Sequence, residues 1–516
     1  MKKLFKIGLG LCLFFEGSYA NIEKESTDEI MMKIQQESQE NDAEEEVESV
    51  EIKHSLLPTM QHIYDIKPDE VDSLDSMLSE GMFYGRLRFN SFGFKWGEEE
   101  EGSKKDHFIA AIGASLFYKS PVYNGLSFSA GLFTAQAAGS LGDEESHLYK
   151  GGRDTLSRYS ALHGDPEGIT SLAEAYVEYS YDKFSFKGGR QIFESFLTRS
   201  NDTKMIPNTF EGLTVTIDDM LGTYFEIGYL TKQKLRDHQT FHHLLAYGDD
   251  PEDPYGIYRE NDDSVMHRGL TLPALQERGI KDRLVIVEAK NRQIANLSLG
   301  ANFTAVPELI ASTMLQASYR VDLGTLSIVP GIRYMRQFDN GAGEIGGANL
   351  KGNTEGYKEP ATLDSALLGA RVDFVDNGYK LRLGYSKVAD KGDIVAPWRG
   401  FPTAAFTRAM GQYNWNANTE SYMAQLEYDY NGFTDLKIVS QYVIQDFDDN
   451  KAGVQADSNV FVLNLMKGFG YGGDSNIYLK TRYAYVTGKE DIVTDSGYQK
   501  PDPSYSEIRF ELNYLF

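Results

Sequence analysis

The sequence predicts an all-β protein, a transmembrane antiparallel β-barrel of about 18 strands with short periplasmic turns and long external loops. Three observations carry this. In the final stretch, Ser504 to Phe516, the residues Ile508, Phe510, Leu512, Tyr514 and Phe516 fall on one side of an extended strand, and Glu507, Arg509, Glu511 and Asn513 on the other. Strict alternation of this kind makes one greasy face and one wet face. Similar stretches recur along the chain, joined by connections that are alternately short and long. Beyond residue 20 no apolar run approaches the ~20 residues that a membrane helix needs, whereas a barrel strand shows only half its residues to lipid.

The alternating stretches lie near 82–96, 107–119, 125–138, 169–182, 183–193, 209–218, 222–232, 281–290 and 294–303. They continue near 311–323, 325–338, 362–376, 378–389, 418–431, 434–447, 458–469, 474–487 and 504–516. In the first of them Leu87 and Phe89 alternate with Arg86, Arg88 and Asn90. Phe92, Phe94 and Trp96 then shift phase, which predicts a bulge. Short connections include Asp182-Lys183, Gly324, Asn377-Gly378, Asn431-Gly432 and Gly470 to Gly473. Long ones include 139–168, 233–280, 339–361, 390–417 and 488–503. That asymmetry is the mark of an outer-membrane barrel and puts both termini in the periplasm of a Gram-negative bacterium. Phe516 closes the chain as an interfacial aromatic residue and as the expected signal to the barrel-assembly machinery.

Residues 1–20 read as a signal peptide: Lys2, Lys3 and Lys6, the apolar Ile7 to Phe15, then Ser18-Tyr19-Ala20 as a cleavage site. The single cysteine, Cys12, falls inside it, so the exported chain has no disulfide and no thiolate metal site. Residues 21–80 form an acidic leader, with 18 Asp and Glu against 4 Lys, expected to be mostly disordered. Within it, Ser26 to Glu29 resembles a capping box. Pro68-Asp69-Glu70 opens a short helix with Val71, Leu74 and Leu78 on one face, ahead of Gly81. The leader suits a periplasmic plug, an assembly segment or a plain solvated tail. The barrel domain is 81–516. The formal charge of −25 offers no basic face to nucleic acid.

No catalytic constellation stands out and no cofactor is expected. The 9 histidines are scattered, without the spacing of a hydrolase or a metal helix. Asp249-Asp250 and Glu252-Asp253 lack the ligand spacing of a calcium loop. The clearer signal is the wet phase of the strands. It holds Arg86, Arg88, Arg320, Arg333, Arg371, Lys380, Arg382, Lys437, Lys480, Arg482 and Arg509. A charge facing lipid at midplane costs about 2–4 kcal/mol, so these side chains are driven into the lumen. Glu174, Glu178, Asp322, Asp373, Glu427, Asp429, Glu507 and Glu511 share that phase. The set is either a wall of paired charges or a basic track for anionic groups. The connection 194–208, with Arg199, Asp202, Lys204 and Pro207, is too apolar for a simple exposed tip and suits a loop folded inward to constrict a pore.

Two short stretches resemble the OprD-like, substrate-specific outer-membrane porins. Asp202-x-Lys204-Met205-Ile206-Pro207-x-Thr209-Phe210-x-Gly212 is similar to that family's constriction-loop segment, and Leu426-x-Tyr428-Asp429-Tyr430, preceded by Glu420-Ser421, to a second family stretch. The resemblance runs loosely from Gly81 to Phe516. It implies an 18-stranded barrel for passive uptake of small hydrophilic solutes, often carboxylates, past a basic ladder and a loop-made constriction. The partners expected are such solutes, outer-membrane lipids and the assembly machinery, with the barrel a monomer or trimer. The chain departs from the family where Lys204 replaces an arginine, where Gln441 precedes Tyr442, and at Glu427. An adhesin or structural barrel with a closed lumen, or a barrel hydrolase, would share the alternation.

Overall fold

The computed structural model describes residues 54–57, 60–64, 68–139, 144–245, 270–349, 352–398, 400, 405–430, 436–471 and 474–516. The signal peptide, the capping box at Ser26, the acidic run Asp249 to Asp253 and the turn at Asn431-Gly432 lie outside the described residues.

A two-stranded hairpin, β1 (His54–Leu56) and β2 (His62–Tyr64), comes first. The barrel then runs through β3 (Met82–Trp96), β4 (His107–Lys119), β5 (Leu126–Gly139), β6 (Ile169–Tyr181), β7 (Phe184–Gln191), β8 (Thr209–Met220), β9 (Thr223–Lys234), β10 (Leu284–Asn291) and β11 (Leu297–Val306). It continues with β12 (Ile310–Tyr319), β13 (Val321–Leu323), β14 (Leu326–Asp339), β15 (Ser365–Asp376), β16 (Tyr379–Val388), β17 (Glu420–Tyr430), β18 (Leu436–Asp446), β19 (Ser458–Tyr471), β20 (Asp474–Gly488) and β21 (Tyr505–Leu515). Each pairs antiparallel with its neighbours and β21 closes on β3. Both β12 and β13 pair with β14, interrupted only at Arg320, so they are one stave and the barrel has 18. Every stretch expected from alternation is present, its ends within 3 residues of the expected ones.

The seam pairs Tyr505 with Trp96 through to Leu515 with Arg86. One residue further, the Gly85 amide donates to the Phe516 carbonyl at 2.6 Å and the Phe516 amide to the Gly85 carbonyl at 3.0 Å. A Cβ at Gly85 would stand 2.6 Å from both the Phe516 ring and the Ser115 carbonyl, so the approach requires glycine.

The first strand corrects one expectation. Its register against both neighbours is unbroken, so there is no bulge. Phe92 and Phe94 stay in phase with Arg86 and Arg88 and are buried inside. They are lumen residues because other groups cover them: Phe94 stacks between Tyr505 (4.7 Å) and His107 (5.1 Å), and the backbone of Gly151 and Gly152 lies against both rings. The leader helix also differs. It spans Leu74–Ser79 and is capped by Ser73, whose hydroxyl accepts from the Ser76 amide at 3.1 Å. Pro68 to Val71 is instead extended, because Asp69 and Val71 pair through their backbones with Val122.

The outer face is apolar, with Leu87, Ile112, Leu213, Leu315, Leu426 and Ile508 exposed. Exposed aromatic residues ring both rims: Phe83, Tyr181, Phe184, Tyr379 and Phe516 at the short-turn end, and Tyr334, Tyr422, Tyr442 and Tyr485 toward the long-loop end. This is the pattern lipid imposes on a barrel. At the long-loop end the connections pack together, with Trp398, Trp415, Ile394 and Leu363 in one cluster with strand residues such as Leu230 and Ile286. An ion cluster ties three connections: Lys451 Nζ donates to Asp390 and Asp448, each at 2.7 Å, and Lys358 to Asp390 at 2.5 Å.

Two outcomes follow from this frame. Phe510, on the lipid face of β21, is 37% exposed, and Phe510→Arg should lower the unfolding free energy by about 2–4 kcal/mol in lipid vesicles, read by denaturant titration. In the loop cluster, burial pushes Asp390 and Asp448 up, but hydrogen bonds from Lys358 and Lys451 to Asp390, and from Lys451 and Asn418 to Asp448, outweigh it and hold both below the ordinary carboxylate value. A depressed carboxyl stabilises the native loops above its unfolded value of about 3.9 and loses that contribution as pH falls through its folded value. Amide protection at Lys451 and Val454, corrected for intrinsic exchange, should therefore be level down to about pH 4 and decline below it.

Candidate functional site

The segment between β7 and β8 is irregular for local reasons. Pro207 has no amide to give a ladder, Asn201 takes a left-handed φ of 48°, and the segment's own side chains satisfy its backbone. Glu194 accepts from the Ser200 amide at 2.9 Å, and Ser195 and Thr198 bond through their hydroxyls at 2.6 Å. Phe193, Phe196, Leu197, Met205 and Ile206 are all buried, which an exposed tip would not allow.

This segment is tied to distant walls of the barrel. Asp202 accepts from Arg86 Nη2 at 2.6 Å and from Arg88 Nη1 at 2.7 Å. Its own carbonyl accepts from Arg88 Nη2 at 2.6 Å, and that guanidinium also meets Glu511 of β21 at 2.5 Å. Asn90 donates to the Lys204 carbonyl at 2.6 Å, and the Lys204 ammonium lies 4.0 Å over the Phe92 ring. Elsewhere the Phe196 amide donates to Glu288 of β10 at 3.0 Å, and Trp398 Nε1 to the Leu197 carbonyl at 3.0 Å. Lys234 Nζ reaches the Pro207 carbonyl at 3.4 Å. Arg199 pairs with Glu194 at 3.7 Å.

The basic residues of the wet phase divide by what they touch. Arg382 makes a two-pronged pair with Asp373 at 2.7 and 2.8 Å, and Arg371 approaches the same carboxylate at 3.3 Å. Lys380 and Lys437 share Glu427 at 3.1 and 2.9 Å, and Lys437 also meets Asp429 at 3.1 Å. Arg509 forks onto Glu507 of its own strand at 2.7 and 3.0 Å. Arg333 donates to Gln316 at 2.7 Å between the rings of Phe196 and Phe406, each 4.8 Å away. Arg320 sits at the short-turn rim with Asp322 and Ser327. Lys480 Nζ lies 2.9 Å from Met60 Sδ, a weak acceptor. Arg482, half-buried, faces Arg509 across the β20–β21 ladder and makes no hydrogen bond or ion pair among the described residues.

Across the lumen, Glu226 and Glu288 are buried on neighbouring strands and directly opposite in register. With Arg199, Lys290, Gln316 and Arg333, Glu288 lines a solvent-open recess. Alternation in 222–232 and 281–290 carries the signal for both acids. The long-range ties leave none: Arg236 on Asp154, and Arg158 on Asp237 at 3.1 Å, join residues of separate loops. Among the described residues no group of three or more His, Cys, Asp or Glu is placed to hold a metal.

A closed barrel with an apolar, aromatic-rimmed outside and a charged, loop-covered inside defines a transmembrane β-barrel of the outer-membrane type. Among solved structures the chain is similar to OccAB4 of Acinetobacter baumannii, with TM-score 0.61 and 15% identity over 84% of this chain and 98% of that one. It is also similar to OccK9 (OpdG) of Pseudomonas aeruginosa, at 0.62 and 16% over 86% and 99%, and to OpdK of P. aeruginosa in a structure with vanillate, at 0.61 and 13% over 84% and 98%. These are OprD/Occ porins, the family that Asp202 to Gly212 resembles, and at such identities the likeness is one of fold. No protein-family model matches the chain, and no curated protein does.

Asp202 is the residue whose loss tests this geometry. Truncating Asp202 leaves Arg86 buried without a carboxylate and Arg88 with Glu511 alone, and breaking a buried ion group in this way costs about 3–5 kcal/mol. Asp202→Ala should therefore destabilise the folded barrel by that amount in denaturant titration. Asp322→Ala at the exposed rim should leave the midpoint unchanged.

Proposed function

We propose that the barrel is a porin in the outer membrane of a Gram-negative bacterium. Small hydrophilic solutes diffuse through it passively, past a lumen narrowed by the segment Glu194 to Asn208, and those bearing a carboxylate are favoured. The contacts of Asp202, Lys204 and Phe196 with side chains of β3 and β10 support the narrowing. The fold shared with OccAB4, OccK9 and OpdK supports the channel, and the structure of OpdK with vanillate, itself a small carboxylate, supports the solute class.

The observation that carries the preference is Arg482. Most lumen cations near it are matched by a carboxylate, so their fields largely cancel at a short distance. Arg482 makes no hydrogen bond or ion pair among the described residues, stands opposite Arg509, and feels Glu507 and Glu511 as more distant charges. An unmatched guanidinium in a narrow, low-dielectric passage draws anions and offers them a planar two-pronged donor.

Reversal potentials and solute flux across planar bilayers test this. Arg482→Ala should cut flux of small carboxylates by about tenfold, the low end of what focused fields achieve, and leave a neutral solute of the same size nearly unchanged. Arg371→Ala and Arg382→Ala remove cations that share Asp373, so each should shift selectivity less. Equal losses for charged and neutral solutes would refute the basic track, and absence of any current from folded protein would refute the porin.

A further inference from the structure

The hairpin β1–β2 is not part of the barrel wall. Leu57, Met60 and His62 are buried, and Met60 and His62 are covered by lumen-facing side chains. The His62 ring packs edge-on against Tyr84 (5.3 Å) and Phe117 (6.0 Å), and Tyr64 stacks on Tyr84 at 4.8 Å. Tyr84 and Phe117 are a cross-strand pair in phase with Arg86 and Ser115, so both point inward. At the bend, the Met60 carbonyl accepts from Arg86 Nη1 at 2.6 Å and Met60 Sδ meets Lys480 Nζ at 2.9 Å. The hairpin thus touches β3, β4 and β20 from the inside, near the end where the turns are short.

We propose that the hairpin His54–Tyr64 is a plug, seated in the short-turn mouth of the lumen, that closes the passage by a contact made within the chain itself. This rests on the porin reading and goes beyond it. Three features favour a plug that can leave over a fixed part of the wall. Among the described residues the hairpin has no ladder to a barrel strand; β1 and β2 pair with each other. A two-stranded hairpin is not stable alone, so its order depends on the seat. Among the described residues of its bend, Met60 meets Lys480 through a weak thioether acceptor and Arg86 through its carbonyl, and the other Arg86 nitrogen is already held by Asp202. Arg86 keeps a partner when the plug departs, so opening leaves no orphaned charge.

The sequence before the plug adds a bias. Residues 21–53 carry 12 Asp and Glu against 3 Lys. A field that makes the leader's side negative pushes this acidic tether toward the pore, and the reverse field draws it out. Closing should therefore depend on the sign of the voltage.

The test is single-channel recording of the exported chain, its deletion lacking residues 54–64, and two point variants. The deletion should conduct about twofold more or better, because the cover of the short-turn mouth is removed, and should lose the polarity-dependent closing. Met60→Lys sets a cation against Lys480 and should raise the open fraction; Met60→Glu supplies Lys480 with a carboxylate and should lower it. Opposite shifts from two charged substitutions at one site separate plug release from general damage, and heat-modifiable gel mobility confirms that each barrel is folded. A peptide of residues 54–67 added on the leader's side should block the deletion channel. Unchanged conductance in the folded deletion overturns the plug while leaving the porin intact. No current from any folded variant, the deletion included, overturns the porin and the plug with it.

Discussion

The structure hangs on one buried charge group at the barrel seam: Arg86 and Arg88 of the first stave, Glu511 of the last, and Asp202 of the segment between β7 and β8. Both arginines are nearly inaccessible, at 1% and 5% exposure, so their charges must be answered by protein. Two carboxylates and two backbone carbonyls do so. The group assembles only when the first and last strands are neighbours, because Glu511 reaches Arg88 across the closed seam. Closure of the wall and seating of the segment therefore meet at Arg88, which answers to both. In an open sheet Arg88 lacks Glu511, while Asp202 keeps both arginines of β3.

Much of this was legible in the sequence, and the boundary of legibility is physical. Alternation reports which side of a strand meets lipid, and lipid rejects charge strongly enough to make that report reliable at all 18 staves. It does not report what fills the inside. Phe92 and Phe94 were misread as lipid-facing because an aromatic residue is at home in either place. The glycine backbone at 151–152, the rings of Tyr505 and His107 and the Lys204 ammonium over Phe92 cover these rings on the lumen side. The helix start at Pro68 failed for a related reason: an extended pairing with Val122 outbid a local N-terminal preference. Asp202 was picked out as part of a constriction, but its partners lie more than 100 residues away on the first stave, and no periodicity encodes that distance.

The basic residues of the lumen show why a list of charges is not a site. Read as a sequence they form a ladder of like members. In the fold, Arg382 with Asp373 and Lys380 with Glu427 are matched pairs whose desolvation is offset by each other. Such pairs hold the lumen wet and in shape while presenting little net field to a passing ion. Arg482 makes neither hydrogen bond nor ion pair among the described residues, in a place where Arg509 is already committed to Glu507 and neighbouring Lys480 meets the Met60 thioether.

The two ends of the proposed track then have different duties. Toward the short-turn mouth, Arg86 and Arg88 spend their hydrogen-bonding capacity on protein groups, and a solute carboxylate would have to displace Asp202 or the Met60 carbonyl to reach them. Higher in the lumen, Arg482 has that capacity to give. A wall in which every cation were paired would be stable and inert; one in which none were paired would repel itself and resist folding. The arrangement at the seam resolves this by concentrating the pairing where the barrel closes and where the hairpin sits, leaving an unmatched guanidinium one step further along the same ladder. The proposed plug sits on that paired end: Arg86, which holds the Met60 carbonyl, already has Asp202 as its partner.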